Sequence, residues 1–150
     1  MGVPPNFPNN KDLQKKAITK LSAKENMERL SFFESDISVY EKLQQIRYEI
    51  RNDIMYTFKD TTAMRKFPVL CKTVFRLNCN GDFYDLNINW NPNTLASLDL
   101  LTIKNIDSIA VLNRDMAVVL YGTNGNCGVI ILHSNDKQLK RNLRKVSHDE

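Results

Sequence analysis

The sequence predicts an α+β domain in which N-terminal amphipathic helices pack on an antiparallel β-meander or small barrel of 4-6 strands, followed by a C-terminal basic helix. Three observations support this prediction. Apolar residues recur at spacings of three and four in the first third of the chain, they alternate with polar residues around Asn80-Gly81, and Lys and Arg recur near the C-terminus. A period of 3.6 is typical of a helix, and a period of two is typical of a strand.

The N-terminal third is predicted to consist of an arm followed by helices. Residues 1–10 contain three prolines and three asparagines, which predict a flexible, extended arm. Residues 11–66 are predicted to form the helical segment, with one helix over 11–29 and a second that begins at Ser35 or Asp36 and ends near residue 57. The second helix has a broad apolar face, which favours packing on a sheet.

Residues 67–133 are predicted to form the antiparallel sheet, and the strongest evidence is a hairpin. Apolar residues alternate over 71–79 and again over 84–90, and Asn80-Gly81 between them favours a tight turn with positive φ angles. The apolar side of the second strand, which ends at Trp90, is predicted to face the core.

The rest of the chain is divided by turn residues. Residues 95–103 fit either a strand or a short helix, whereas 106–112, 116–121 and 127–132 are predicted to be strands. Residues 134–150 are predicted to form the basic helix and tail. Residues 11–133 are expected to make one domain.

The composition is that of a globular protein. The chain has 150 residues, 42% of them hydrophobic and 25% charged, and a net charge of +4. Its three cysteines are few, and their odd number does not fit a framework of disulfides, so free thiols are expected. Free thiols are typical of a reducing compartment, which predicts a cytoplasmic or nuclear location. No apolar run approaches the roughly 20 residues that cross a bilayer, so no membrane contact is expected.

No pattern in the sequence indicates catalysis. There are only two histidines, and neither lies at a spacing typical of metal ligands. We therefore predict that the protein is not an enzyme and uses no metal or cofactor.

The apolar N-terminal helix and Trp90 instead indicate an interface. The predicted function is that of a non-catalytic scaffold or adaptor, a protein–protein interaction subunit of a larger intracellular complex. The partner would be another protein or a second copy, bound through the N-terminal helix or a sheet edge. The candidate interface residues are Phe33, Ile37, Tyr40, Leu43, Ile50, Ile54 and Trp90.

The alternative is a small basic nucleic-acid-binding protein that uses the Lys and Arg residues at both ends of the chain. The Lys-rich first helix would contribute one part of such a surface, and the last helix the other. The candidate contacts there are Lys137, Lys140, Arg141, Arg144 and Lys145.

Residues 75–81 and 120–122 resemble the two motifs of a divergent Sm or LSm domain. Leu86 replaces the second glycine of the first motif, and Ala96 and Tyr121 replace the Asn and Arg that hold uridine in RNA-binding members. The resemblance therefore implies a bent barrel that pairs through its edge strands, as in Gemin-type members, without uridine recognition. The order of helix, four strands and terminal helix also resembles an RWD-type module of kinetochore scaffolds.

Overall fold

The computed structural model describes residues 18–58 and 69–148, which form five α-helices and seven strands in two mixed sheets. The predicted α+β class is confirmed. The two sheets are not closed, so the small barrel is not formed. The predicted arm over residues 1–10, and residues 11–17 of the first predicted helix, lie outside the described residues.

The predicted helical segment contains two short strands as well as helices. Its elements are β1 (Ile18–Lys20), α1 (Ala23–Glu34), α2 (Val39–Arg51) and β2 (Met55–Phe58). The predicted boundaries were therefore wrong at both helices. Ser22 caps α1 and Ser38 caps α2, each accepting a hydrogen bond from a backbone N–H in the first turn. Asp53 takes a left-handed conformation with φ of 47°, which ends the helix although the apolar spacing continues.

The strands form two sheets whose topology differs from a meander. The first sheet has the order β1-β2-β3, where β3 is Val69–Cys71. The second has the order β5-β4-β7-β6, and its central strands β4 and β7 are parallel. A meander would pair consecutive strands only, but the two most apolar strands occupy the buried centre of the sheet instead. The members of the second sheet are β4 (Val74–Cys79), β5 (Asp82–Asp85), β6 (Ser108–Leu112) and β7 (Val129–Ser134).

The Asn-Gly hairpin is present between β4 and β5. Asn80 and Gly81 have φ angles of 52° and 89°, the positive values that the tight turn requires. Strand β5 ends five residues earlier than predicted, because Asn87 accepts a hydrogen bond from the N–H of Asn89 and starts a turn. As a result, Trp90 is 52% exposed rather than buried in the core.

The predicted strand over 116–121 is a helix, which is the largest local correction. Helix α3 (Thr94–Asp99) resolves the ambiguous segment before it, and α4 (Arg114–Tyr121) replaces the strand. The side chain of Asn113 accepts a hydrogen bond from the N–H of Met116, which caps α4. The apolar run alone fits a buried strand equally well, and the cap decides in favour of the helix. A short 3₁₀ turn, Gly122–Gly125, follows.

The main core lies between one face of the second sheet and the helices. Phe33 of α1, Ile46 of α2 and Leu77 of β4 are fully buried in it. Helix α5 (Lys137–His148) closes this layer with Leu139 and Leu143. The opposite face of the sheet, called the outer face below, packs on Ala117 and Tyr121 of α4. Within the described ranges, no helix has the length and apolarity needed to cross a membrane.

A disulfide joins the two sheets, which corrects the expectation of free thiols. Cys71 at the end of β3 is bonded to Cys127, just before β7, and their Cα atoms are 5.7 Å apart. The two cysteines are 56 positions apart in sequence, so their spacing could not reveal the pair. A total of three cysteines still allows one disulfide and one free thiol. Cys79 is a free, buried thiol. The inference from free thiols to a reducing compartment therefore loses its basis for two of the three cysteines.

Candidate protein-interaction surface

Four of the seven predicted interface residues are core residues. Phe33, Leu43, Ile50 and Ile54 are all buried, because the second sheet, β2 and their neighbours cover the apolar sides of α1 and α2. These four side chains cannot contact a partner while the domain stays folded. The prediction that they form an interface is therefore wrong.

The other three predicted interface residues are accessible. Ile37 precedes α2, Tyr40 lies in its first turn, and Trp90 lies in the turn after β5. The hydroxyl of Tyr40 accepts a hydrogen bond from the side-chain amide of Gln44. These residues belong to separate segments of the chain rather than to one apolar helix face.

Helix α4 carries a more continuous apolar surface, which the sequence prediction missed. Met116, Val119 and Leu120 are 53%, 79% and 63% exposed. Their spacing of three and four places them on one side of the helix, whereas Ala117 on the other side is fully buried against the sheet. We call Met116, Val119 and Leu120 the α4 stripe. The helix start at Asn113 and the stop at Gly122 were the sequence features that could have revealed it.

Next to α4, Arg76 links three elements on the outer face of the sheet. Its guanidinium lies 5.1 Å from the ring centre of Phe83 and donates a hydrogen bond of 3.3 Å to the hydroxyl of Tyr121. It also forms an ion pair of 3.1 Å with Asp85. The hydrogen bond to Tyr121 is the main cause that raises the pKa of Arg76. Arg76 is therefore a fixed, charged centre between two aromatic rings.

The strand register extends this surface across the sheet. Asn78 pairs with both Phe83 and His133, and His133 pairs with Ser108, so these four residues form one row across the outer face. Phe83 and Ser108 are exposed, and Asn78 and His133 are half-buried. The outer face is thus open to solvent beyond the area that α4 covers.

The five predicted nucleic-acid contacts all lie on α5, but three of them donate hydrogen bonds within the molecule. Arg144 donates two hydrogen bonds, of 2.9 and 3.2 Å, to the carboxylate of Asp82, and this contact lowers the pKa of Asp82. Lys140 donates to the backbone oxygen of Asn80. Both side chains hold the tip of the hairpin. Arg141 donates a hydrogen bond of 2.7 Å to the side chain of Gln138 on the same helix. Lys137, Arg141 and Lys145 are exposed.

The described part of the chain offers no metal centre, since it has no group of three or more His, Cys, Asp or Glu side chains that could hold an ion. Comparisons with protein-family models, curated proteins and solved structures find no match. The resemblances to Sm-like domains and RWD-type modules therefore stay predictions.

Proposed function

We propose that this protein is a non-catalytic interaction subunit, a scaffold or adaptor that binds another protein through the α4 stripe and the adjoining outer face. The observation that carries this proposal is the exposure of Val119, Leu120 and Met116 on one side of a capped helix. Burying one such side chain fully is worth about 1.5–3 kcal/mol. A partner that covers the stripe would gain part of this free energy for each residue.

The residue types around the stripe also support the proposal. Met adapts to partners of different shape, and Arg, Tyr and Phe are enriched in the centres of protein interfaces. Arg76 is already held by Phe83, Tyr121 and Asp85, so little side-chain entropy would be lost on binding.

The test is a comparison of proteins captured from extract of the source cells by the wild type and by two double variants. Val119→Asp with Leu120→Asp places two charges on the stripe, and we expect this variant to lose the captured partner. Leu95→Asp with Ile103→Asp makes the same change at exposed apolar residues outside α4, and it should keep the partner.

Circular dichroism and sedimentation velocity would establish that both double variants fold as the wild type does. Equal capture by the wild type and the stripe variant would contradict the proposal. A wild-type dimer that the stripe variant dissociates would identify a second copy as the partner.

The alternative function, nucleic-acid binding, is favoured by one feature of α5. Lys137, Arg141 and Lys145 follow one another at intervals of four, so three exposed cations line one side of the helix. Retention on immobilised polynucleotide should then fall steeply with salt. Reversing these three charges, while Lys140 and Arg144 keep holding the hairpin, should abolish retention, and unchanged retention would remove this alternative.

A further inference from the structure

We infer that an extended, basic peptide segment of a partner protein adds as a fifth strand to the outer edge of β6 and lays its side chains in the groove between β6 and α1. Strand β6 ends the order β5-β4-β7-β6, and within the described residues it pairs with β7 alone. An edge strand presents backbone N–H and C=O groups that an added strand can pair with.

The groove beside this edge has the size of a binding site. Its volume is about 400 Å³, within the usual range for ligand sites. Val111 lines it from β6 and Phe58 lines it from the end of β2. Side chains that point to one side of an added strand would find an apolar surface here.

Helix α1 forms the opposite wall with one of its sides. Ala23, Met27, Leu30 and Glu34 line the groove, and their spacing of three and four places them along a single face of the helix. Met27, an apolar residue of this wall, is 69% exposed to solvent. An exposed sheet edge with an apolar pocket beside it is the arrangement in which domains bind extended peptides by strand addition.

The charges of the groove select the kind of peptide. Two carboxylates, Glu34 and Asp115, line it, whereas Arg114 is the one cation among the described residues that line it. The described lining of the groove is therefore net negative, and charge complementarity favours a peptide in which Lys or Arg alternates with apolar residues.

This inference goes beyond the proposed function because it concerns a second surface. Arg114 and Asp115 begin α4 at the end of the groove, but the residues of the α4 stripe are not among those that line it. The two surfaces can therefore be tested by separate variants, and the failure of one proposal leaves the other standing.

The first experiment uses a fluorescein-labelled octapeptide of alternating Val and Lys as the probe, with fluorescence anisotropy as the readout. We expect binding to the full chain, and binding at least about tenfold weaker for the matched Val-Glu peptide. Strand addition uses the N–H groups of alternate residues only. N-methylation of one alternate set should abolish binding, and N-methylation of the other set should leave it unchanged.

The second experiment locates the bound peptide on the protein. Met27→Lys and Glu34→Lys should each weaken binding of the Val-Lys peptide by about tenfold, because they place a cation in the groove. Glu28→Lys makes the same charge change at an exposed position of α1 that does not line the groove, and it should bind as the wild type does. Leu120→Asp should also leave peptide binding unchanged, although it disrupts the α4 stripe.

Three results would overturn the inference. The first is no measurable binding of the Val-Lys peptide, and the second is equal loss of binding with both N-methylated sets. The third is a wild-type protein that sediments as a dimer and becomes a monomer in the Glu34→Lys variant. A second copy of the chain, rather than a partner peptide, would then occupy the edge of β6.

Discussion

Arg29 is a buried cation whose partners come from its own helix and from three other parts of the chain. Its guanidinium donates to Glu49 at 3.0 Å, to the side chain of Asn26 at 3.0 Å and to the hydroxyl of Thr73 at 2.6 Å. It also lies 4.0 Å from the ring centre of Tyr56. A buried charge is tolerated only when such contacts replace water, so this network joins α1, α2 and the first sheet.

We predict that Glu49→Ala lowers the free energy of unfolding by about 3–5 kcal/mol, because it leaves Arg29 charged and buried without its counterion. Urea unfolding at neutral pH measures the change. Arg51→Ala is the control, since it breaks the exposed pair with Asp99 and should cost no more than about 1 kcal/mol. Equal costs for the two variants would contradict the role given to the buried pair.

Asp53 gives the stability a dependence on acid. Burial alone would raise its pKa, but hydrogen bonds from Lys72 and Asn89 outweigh burial and lower the pKa below the ordinary value of an aspartate. A folded-state pKa below the unfolded value stabilises the fold above the unfolded pKa, and this stabilisation is lost as the pH falls through the folded pKa.

We therefore predict that the stability difference between the wild type and Asp53→Asn is present at pH 7 and shrinks below about pH 4. Both side chains are half-buried and still reach solvent, so screening should keep the difference at or below about 1 kcal/mol. Chemical unfolding at a series of pH values measures it, and Lys72→Met should show the same trend. A difference that stays constant down to pH 2 would refute the assignment.

Helix α4 depends on a single cap at its start. Asn113 accepts a hydrogen bond of 3.1 Å from the N–H of Met116, and the helix has only eight residues. Short helices form in proteins mainly through packing and capping, because their intrinsic stability in water is low. Loss of the cap should therefore loosen the element that presents the α4 stripe.

Asn113→Ala is predicted to cost about 1 kcal/mol and to speed hydrogen exchange of the amides in α4 more than in β4 or β7. Mass spectrometry of exchange over Arg114–Tyr121 measures the local effect. Asn113→Asp is the matched control, since a carboxylate also caps and should keep exchange near the wild-type rate. Fast exchange in both variants would show that the cap is not what holds the helix.

The elements that the sequence predicted correctly are those with local causes. The Asn80-Gly81 hairpin follows from backbone preferences within a few residues, and α5 follows from its apolar spacing at Leu139 and Leu143. The stripe on α4 was missed because an apolar run has the same appearance in a buried strand and in a half-exposed helix. Its cap, Asn113, lies before the run, and Asn is as typical of a turn as of a helix start.

The Cys71–Cys127 disulfide is the covalent link between the two sheets. It joins residues that lie far apart in the chain, so it restricts the unfolded chain more than it alters the folded one. Neither this link nor the pairing of β4 with β7 could be predicted from sequence, since both depend on contacts between distant segments. The burial of Phe33 and Leu43 could not be predicted for the same reason, because the sheet that covers them is assembled from later parts of the chain.

Reduction of the disulfide is predicted to lower the free energy of unfolding by about 2–5 kcal/mol. Thermal unfolding with and without a phosphine reductant measures the effect, and Cys71→Ser with Cys127→Ser should match the reduced wild type. Under denaturing, non-reducing conditions, thiol labelling followed by mass spectrometry should detect one free cysteine, Cys79. Three labelled cysteines, or stability that does not change on reduction, would contradict the link.

The parallel pairing of β4 with β7 has a consequence for synthesis of the protein on the ribosome. Val74 pairs with Val129, so the central strand of the sheet is translated long before its neighbour. At about 5–20 residues per second this delay lasts roughly 3–11 s. During that interval the nascent hairpin displays an uncovered apolar strand, so a chaperone that binds such segments should improve the yield of native protein in cell-free translation.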